Sequence, residues 1–250
     1  MGELSGKRTG SSIEYQDRRD YVPGDDIRYI DWRAFARTDR LSVKLYREEI
    51  TPVVDIIVDT SLSMAVTPEK ALRRMDLSHL FFLLARKLNA ATTIYDLTGN
   101  LRRIRNPLEL MQTEGRPQVN PLPLLREAPL SRRGGIKLFV SDFLFPFSPP
   151  DLVSVFSEAD RLVLVQVLSS FEADPGQGGF VRLVDAEKED FLDVSLTRST
   201  VEGYQNRLRR LQDDLERRVR VVQGAFAIIR DHDSPDDMIR RLVLASVLEP

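Results

Sequence analysis

An almost uninterrupted apolar run, Val53–Val58, constrains the fold of this chain more than any other stretch. All of its residues are β-branched except Asp55, a composition typical of a central parallel strand that is buried on both faces. The run ends at Asp59, and Ser61 and Ser63 follow at alternate positions on the turn that leaves the strand. Because ligands of open α/β sheets bind beyond the carboxyl ends of the strands, the stretch predicts a polar site at the edge of a parallel sheet.

The chain after this run alternates between predicted strands and predicted helices. We predict further strands at 92–97, 101–104, 135–143, 161–168 and 224–229. We predict helices at 68–89, 107–111, 122–127, 151–158 and 235–248, and a long helix that begins at 199. This alternation indicates an α/β fold with a doubly wound, mostly parallel sheet of Rossmann-like type.

Three local patterns refine this architecture. Residues 181–184 and 191–194 flank a charged turn and predict a β-hairpin insert at about 180–195. Ser199 and Glu202 have the spacing of a capping box that opens the long helix. The helix at 68–89 is expected to pack through one apolar stripe, formed by Leu72, Met75, Leu80, Leu83, Leu84 and Leu88.

Residues 1–50 precede this pattern and are predicted to form an N-terminal arm, with residues 51–250 as the main domain. Acidic residues and arginines alternate around Trp32, the only tryptophan, and residues 41–46 alternate apolar and polar like a strand.

Two interpretations stay open for this arm. The first, which the pattern favours, is a β-rich layer held by ion pairs on the main sheet. The second is a docking surface, since arginine and aromatic residues anchor interfaces. The candidate partner-binding residues are Arg19, Tyr21, Asp25, Asp26, Arg28, Asp31 and Trp32.

Composition excludes several classes of function. The chain contains no cysteine, which excludes a disulfide framework, a thiolate zinc site and a cysteine nucleophile. Its formal net charge is −2 and its basic clusters are separated and balanced by acids, so no global field steers nucleic acid toward it. No apolar run is long enough to span a bilayer, and the N-terminus lacks the apolar core of a signal peptide. We therefore expect a cytoplasmic protein with no nucleic-acid partner and no membrane span.

The residues after the central strand indicate a site for a hard divalent cation. Asp59, Ser61 and Ser63 offer a carboxylate and two hydroxyls, oxygen ligands that suit Mg²⁺ first, with Mn²⁺ and Ca²⁺ as alternatives. A second carboxylate, Asp142, lies near the end of the strand predicted at 135–143. The simpler interpretation is that the two serines only cap the following helix. The motif alone leaves both interpretations open.

On these residues the chain resembles a von Willebrand factor type A domain, whose metal-ion-dependent adhesion site has the pattern Asp-x-Ser-x-Ser. Three segments, Arg19–Trp32 with its Pro-Gly-Asp-Asp sequence, Leu41–Lys44 and Asp59–Met64, narrow the resemblance further. They resemble the bacterial domain-of-unknown-function family fifty-eight, whose members have a type A-like fold. The likeness continues at Val140–Phe143, Leu164–Leu168 and Tyr204.

The resemblance implies a metal site and a partner. It places the metal positions at Asp59, Ser61, Ser63 and Asp142. In type A domains the serines and a loop threonine coordinate directly, while the aspartates often act through water. The corresponding loop at 114–124 has no threonine, so Asn120 is the first substitute and Thr113 the second. Members of the family often sit beside MoxR-type AAA+ ATPases, and the resemblance implies such a partner here.

The function that follows is a non-enzymatic interaction module that binds a partner through this metal site, as adaptor or co-chaperone of the ATPase. One alternative is a metal-free scaffold that recognises partners through Arg19–Trp32. Another is a Mg²⁺-dependent phosphohydrolase built on Asp59, although Ser61 stands where such enzymes carry a second aspartate. A Ser-His-Asp hydrolase would need a usable histidine, and His79 and His232 are better explained as a helix residue and a loop residue beside a helix cap.

Overall fold

The computed structural model describes residues 13–48, 51–97, 99–112, 117, 120–128, 130, 134–188 and 190–248. The chain divides into two compact units, Met1–Thr51 and Pro52–Pro250. The smaller unit contains the segment Arg19–Trp32, and the larger unit contains the apolar run that precedes Asp59.

The first unit is an antiparallel strand pair with a helical connection. Its elements are β1 (Ile13–Asp20), a 3₁₀ helix (Ile27–Tyr29), α1 (Trp32–Thr38) and β2 (Ser42–Glu48). Helix α1 begins where it does because Asp31 Oδ1 accepts hydrogen bonds from the backbone of Arg33 at 3.1 Å and of Ala34 at 3.0 Å. The strand predicted at 41–46 is confirmed as β2. The sequence did not predict β1, which is mostly polar and lacks a clear alternation.

The second unit is organised around a six-stranded sheet. The strands of the whole unit are β3 (Val53–Asp59), β4 (Ala91–Leu97), β5 (Leu101–Ile104), β6 (Ile136–Ser141), β7 (Arg161–Leu168), β8 (Phe180–Val184), β9 (Phe191–Ser195) and β10 (Ala225–Arg230). The sheet has the order β10-β7-β6-β3-β4-β5 and is parallel at every pairing except that of β4 with β5. This confirms the predicted mostly parallel α/β sheet. Strands β8 and β9 form an antiparallel pair, which confirms the predicted hairpin.

Helices pack on both faces of this sheet. They are α2 (Pro68–Lys87), α3 (Leu122–Glu127), α4 (Pro149–Val155), α5 (Ser170–Ala173), α6 (Arg198–Val221) and α7 (Pro235–Leu244). Leu77 of α2 and Leu242 of α7 belong to the core on one face. Leu125 of α3, Leu152 of α4 and Leu215 of α6 belong to the core on the other face. None of the helices that the structure describes is both long and apolar enough to cross a membrane.

Strand β3 lies where the strand order reverses. It pairs with β4 on one side and with β6 on the other. The chain first proceeds outward from β3 through β4 to β5, and then crosses to β6 on the opposite side. Such a reversal opens a crevice beyond the carboxyl ends of the two neighbouring strands. Asp59 ends β3 and Asp142 follows β6, so both carboxylates lie at this switch point.

The apolar stripe predicted for α2 is wrong in part. Three of its members are about 60% exposed, namely Leu72, Leu83 and Leu88. The face that the helix buries carries charges as well as apolar groups, and it includes Lys70, Arg73, Arg74, Leu77 and Phe81. The first turn of α2 lies beside Asp142, so the buried ammonium group of Lys70 has a partner there, and the later turns pack through apolar groups such as Leu77 and Phe81.

The ends of α6 and α7 differ from the predictions. Helix α6 begins at Arg198, and its N-cap is Thr197, whose Oγ1 accepts a hydrogen bond from Thr200 N at 3.2 Å. The predicted capping box at Ser199 is therefore wrong. Helix α7 begins at Pro235 as predicted, with Ser234 as its N-cap, but it ends at Leu244, before position 248.

Candidate functional site

The turn after β3 places Ser61 and Ser63 at the switch point. A 3₁₀ helix, Leu62–Ala65, follows Ser61 directly, and the side chain of Ser61 makes no capping hydrogen bond to it. Helix α2 is capped by Thr67, whose Oγ1 accepts a hydrogen bond from Lys70 N at 3.1 Å. The simpler interpretation, in which the two serines cap the following helix, therefore does not describe this turn.

Asp59 organises the hydroxyl groups around it. Its Oδ1 accepts hydrogen bonds from Ser61 N at 3.0 Å and from Ser61 Oγ at 2.6 Å. Its Oδ2 accepts one from Ser141 Oγ at 2.7 Å. The hydroxyls of Ser61 and Ser63 lie 3.1 Å apart. Three of the predicted site residues thus form one cluster, to which Ser141 adds a hydroxyl that the sequence did not single out.

A strained turn holds Asp142 directly after β6, the strand next to β3. Phe143, which follows it, is buried with a φ of 54°, a left-handed conformation that is uncommon for an aromatic residue. The turn is fixed because Gln166 Nε2 donates to Asp142 O at 2.7 Å and Leu144 N donates to Asp142 Oδ1 at 3.0 Å. These contacts aim the Asp142 carboxylate toward the site.

A fully buried ammonium group, that of Lys70, neutralises this second carboxylate. Lys70 Nζ donates to Asp142 Oδ2 at 3.0 Å, to Glu172 Oε1 at 2.8 Å and to Ser63 O at 2.9 Å. Both oxygens of Asp142 are therefore engaged within the protein, one by Lys70 and one by the backbone. Sequence analysis missed Lys70 and Glu172, because a lysine in the first turn of a helix carries no local signal of burial.

Asp59 lacks such a cation on its own oxygens. Burial, and next the charge of Asp142, raise the pKa of Asp59 to about 6. A divalent cation beside Asp59, Ser61 and Ser63 would offset both effects, and the available donors are oxygens, as Mg²⁺ requires. The residues present therefore fit a hard cation, and Asp142 would act on it without contacting it directly, because both of its oxygens are already engaged.

A second buried cation, Arg74, lies behind the cluster. Burial lowers the pKa of its guanidinium, while the charges of Asp59 and Asp96 act in the opposite direction. Its Nε has no hydrogen-bond partner among the described residues. Asp96 itself accepts hydrogen bonds from Thr60 Oγ1 and Arg102. This end of the sheet is thus a dense network of buried charges.

The cluster opens into a cavity of about 300 Å³. Its lining residues are Asp59, Ser61, Ser63, Pro121, Leu144, Phe145, Pro146, Asp185, Ala186, Glu187 and Lys188. One wall is the turn of the β8–β9 hairpin, from which Glu187 Oε1 accepts a hydrogen bond from Ser63 N at 2.8 Å. Sequence analysis predicted the hairpin but not this carboxylate at the site.

The proposed threonine substitutes take different places. Asn120 is exposed, and its Oδ1 accepts a hydrogen bond from Leu122 N at 3.0 Å. It precedes Pro121 of the cavity wall but is not among the described lining residues. Thr113 lies outside the described residues. Within the described ranges, no group of three or more His, Cys, Asp or Glu side chains could hold a metal, so a cation here depends on the serine hydroxyls.

Four of the seven predicted partner-binding residues of the first unit form ion pairs with one another. Arg19 donates to both oxygens of Asp25, which lowers the pKa of that carboxyl group. Arg28 donates to Asp26 and lowers its pKa to about 2. The remaining ones are Asp31, which pairs with Arg18 and caps α1, Tyr21, whose N–H donates to Leu41 O, and Trp32, which is 60% exposed.

The histidines do not form a catalytic relay. Ser170 Oγ and Asp231 Oδ1 both contact the same ring nitrogen, His232 Nδ1, at 3.0 and 3.1 Å. A hydrolase triad needs the hydroxyl and the carboxylate on opposite ring nitrogens. His79 Nδ1 contacts Met75 O on its own helix.

Comparison with known proteins supports the family resemblance over part of the chain. A family model described as "Protein of unknown function DUF58" matches residues 17–105, a range that contains Arg19–Trp32 and Asp59–Ser63 but not Asp142. No curated protein matches the chain. Among solved structures, it is similar to "conserved hypothetical protein BatB from Bacteroides thetaiotaomicron", with 10% identity and a TM-score of 0.38, over 79% of this chain and 100% of that one.

Proposed function

We propose that this chain is a non-enzymatic, cytoplasmic protein-interaction module with a von Willebrand factor type A-like main domain. In this proposal Asp59, Ser61 and Ser63 hold a divalent cation, Mg²⁺ first, and an acidic side chain of a partner completes its coordination. The partner that we propose is a MoxR-type AAA+ ATPase, as the family resemblance implies. The chain would serve it as adaptor or co-chaperone.

The observation that carries this proposal is the pair of serine hydroxyls at the switch point. They lie 3.1 Å apart, line the cavity and are not used as helix caps. They lie beyond the carboxyl ends of β3 and β6, which is where open α/β sheets bind their ligands. Hydroxyls that served only the local fold would be expected to bond the backbone of the next helix.

The charges around the serines favour a cation over an anion. Among the described residues no cationic side chain donates to Asp59 beside the serines, and Arg74 acts on it through its charge, whereas Asp142 forms an ion pair with Lys70. When bound, Mg²⁺ supplies a Lewis-acidic centre that attracts a carboxylate oxygen. The chain's own contribution is to orient two neutral hydroxyls, which leave that centre electrophilic.

The residue two positions after Asp59 supports a role other than phosphoryl transfer. Ser61 stands where a phosphohydrolase with an aspartate nucleophile carries its acid/base aspartate, and its hydroxyl donates to Asp59 at 2.6 Å. A serine hydroxyl does not supply the general acid/base step that a second carboxylate supplies.

The double variant Asp59→Ala with Ser61→Ala tests the proposal. We expect it to lose Mg²⁺-dependent capture of a purified MoxR-type ATPase while its circular dichroism spectrum stays that of the wild type. The matched control, Asp151→Ala with Ser154→Ala, removes an exposed acid and an exposed hydroxyl from α4 and should bind normally. Undiminished capture by the double variant, or capture that persists in chelator, would refute the cation-mediated version.

The first unit supports a second candidate function, a metal-free scaffold. Trp32 and Ile27 are 60% and 65% exposed, beside the ion pairs of the same unit. Exposed aromatic and aliphatic groups beside arginines are typical of interface anchors. Reversing two exposed charges, with Arg28→Glu and Arg33→Glu, should abolish capture of the ATPase if the scaffold version holds, and should leave Mg²⁺-dependent capture in place if it does not.

A further inference from the structure

We propose that Glu187 is a built-in acidic ligand of this site. It occupies, within the same chain, the position that the proposed function gives to a partner's carboxylate. A partner must therefore displace the hairpin turn before its own acid can enter. This inference rests on the proposed function, and it adds that Glu187 competes with the partner's carboxylate for the cation.

The position of Glu187 rests on a long-range contact. Its Oε1 accepts a hydrogen bond from the backbone N–H of Ser63 at 2.8 Å, although the two residues are 124 positions apart in the chain. Ser63 is one of the candidate cation ligands, and Glu187 lines the same cavity as both serines and Asp59. A carboxylate thus already faces the place where an incoming acid would bind.

The hairpin turn is shaped to present this side chain. Asp185 Oδ1 accepts a hydrogen bond from Glu187 N at 2.8 Å, and Asp185 N donates to Asp190 O at 2.8 Å. The first contact is an Asx-type turn, which fixes the backbone two residues beyond the aspartate. The hydrogen-bonded turn consequently fixes the backbone from which the Glu187 side chain extends.

The strands behind the turn are held lightly, so the ligand can be displaced. β8 and β9 form their own two-stranded sheet, separate from the central one. Their outer face exposes Phe180 by 87% and Phe191 by 64%, so these large groups bury little surface against the rest of the unit. Isolated two-stranded hairpins are marginally stable, and segments with few buried contacts open most easily. The hairpin that carries Glu187 can therefore move away from the cavity without disturbing the central sheet.

The test uses Mn²⁺ as the probe, because paramagnetic relaxation of water protons reports how many waters are bound to that ion. We compare the wild type with Glu187→Ala, because the amide oxygen of a glutamine could still bind the ion. If Glu187 is a ligand, the variant binds Mn²⁺ several-fold more weakly, and its bound Mn²⁺ shows a higher relaxivity because an additional water takes the vacated position. Added acetate, a simple carboxylate, should then lower the relaxivity of the variant but not that of the wild type.

A matched control is Asp190→Ala, which removes one negative charge from the same turn, at a residue that is not among the described lining residues of the cavity. It should behave like the wild type. Equal relaxivity and equal acetate response in the wild type and in Glu187→Ala, with Mn²⁺ bound to both, would overturn this inference and leave the proposed function intact. A wild type that binds Mn²⁺ no better than the Asp59→Ala, Ser61→Ala variant would overturn the proposed function itself.

Discussion

The two candidate recognition surfaces of this molecule hold their charges in opposite ways. At the switch point, the side chains of Lys70 and Asp142 are 0% and 2% exposed. In the first unit, the side chains of Arg28 and Asp26 are 80% and 37% exposed. The same chemistry, an ion pair, is thus fully desolvated on one surface and open to water on the other.

This difference separates a preorganised site from an adaptable one. An uncompensated buried charge costs several kcal/mol, so each buried group at the switch point depends on a specific partner. Exposed pairs contribute little, because water and salt screen them. We infer that the switch point offers a fixed arrangement to a ligand, whereas the ion pairs of the first unit can exchange for charges of a partner without loss of stability.

Removing the buried ammonium should have the largest effect. Lys70→Met keeps most of the side-chain volume but leaves Asp142 and Glu172 without their cation. We expect the free energy of unfolding to fall by about 3–5 kcal/mol, measured by urea denaturation. Lys87→Met, at the exposed end of the same helix, is the control and should change it by no more than about 0.5 kcal/mol. Equal effects of the two substitutions would mean that the buried network does not need Lys70.

A smaller effect is expected from Tyr204→Phe, at the margin of the buried network. Tyr204 Oη donates to the carbonyl oxygen of Glu172, and loss of that bond should cost about 1 kcal/mol. Tyr29→Phe, in the exposed part of the first unit, should cost less in the same urea titration, because water can replace a hydrogen bond that an exposed hydroxyl loses.

The effect of Tyr204→Phe should also depend on pH. Burial, followed by the charge of Glu172, raises the pKa of Tyr204 from 10.0 to about 12. The folded state therefore holds the phenol proton more tightly than the unfolded state does, and this stabilisation is complete below pH 10 and lost as the pH rises toward about 12. The stability difference between the wild type and the variant should accordingly shrink once the pH passes 10. A difference that stays constant across that window would contradict this assignment.

The smallest effect is expected in the first unit. Arg19→Gln removes the cation that pairs with Asp25, but water reaches both side chains, which are 44% and 17% exposed. We expect the urea midpoint to stay unchanged at low and at high ionic strength. A clear fall at low salt that disappears at high salt would show that this pair stabilises the unit, and the contrast between the two surfaces would then be weaker than we infer.

The sequence predicts those parts of the fold that depend on periodic burial. The strand Val53–Asp59 and the hairpin follow from apolar runs and turn residues that are local in the chain. The burial of Lys70 does not follow, because a lysine in the first turn of an amphipathic helix normally stays in water. The contact of Glu187 with Ser63 spans 124 positions, and no local pattern encodes it.

Local sequence patterns also cannot distinguish between neighbouring residues with the same chemistry. Thr197 and Ser199 are both hydroxyl residues, each with a suitable group three positions later, yet only Thr197 is the N-cap of α6. Asn120 is the predicted substitute for the missing threonine ligand, and in the structure its amide oxygen accepts a hydrogen bond from the backbone of Leu122. In both cases the path of the chain into the helix decides which polar atom is engaged.

The residues that line the crevice at the switch point are synthesised far apart in time. Ser141, which contacts Asp59, follows it by 82 residues, and Glu187, which contacts Ser63, follows it by 124. A ribosome-bound chain that contains β6 but not yet the hairpin has Asp59, both serines and Asp142, but not Glu187. Because domains generally fold as units, the crevice acquires its last acidic wall only when the hairpin has been made.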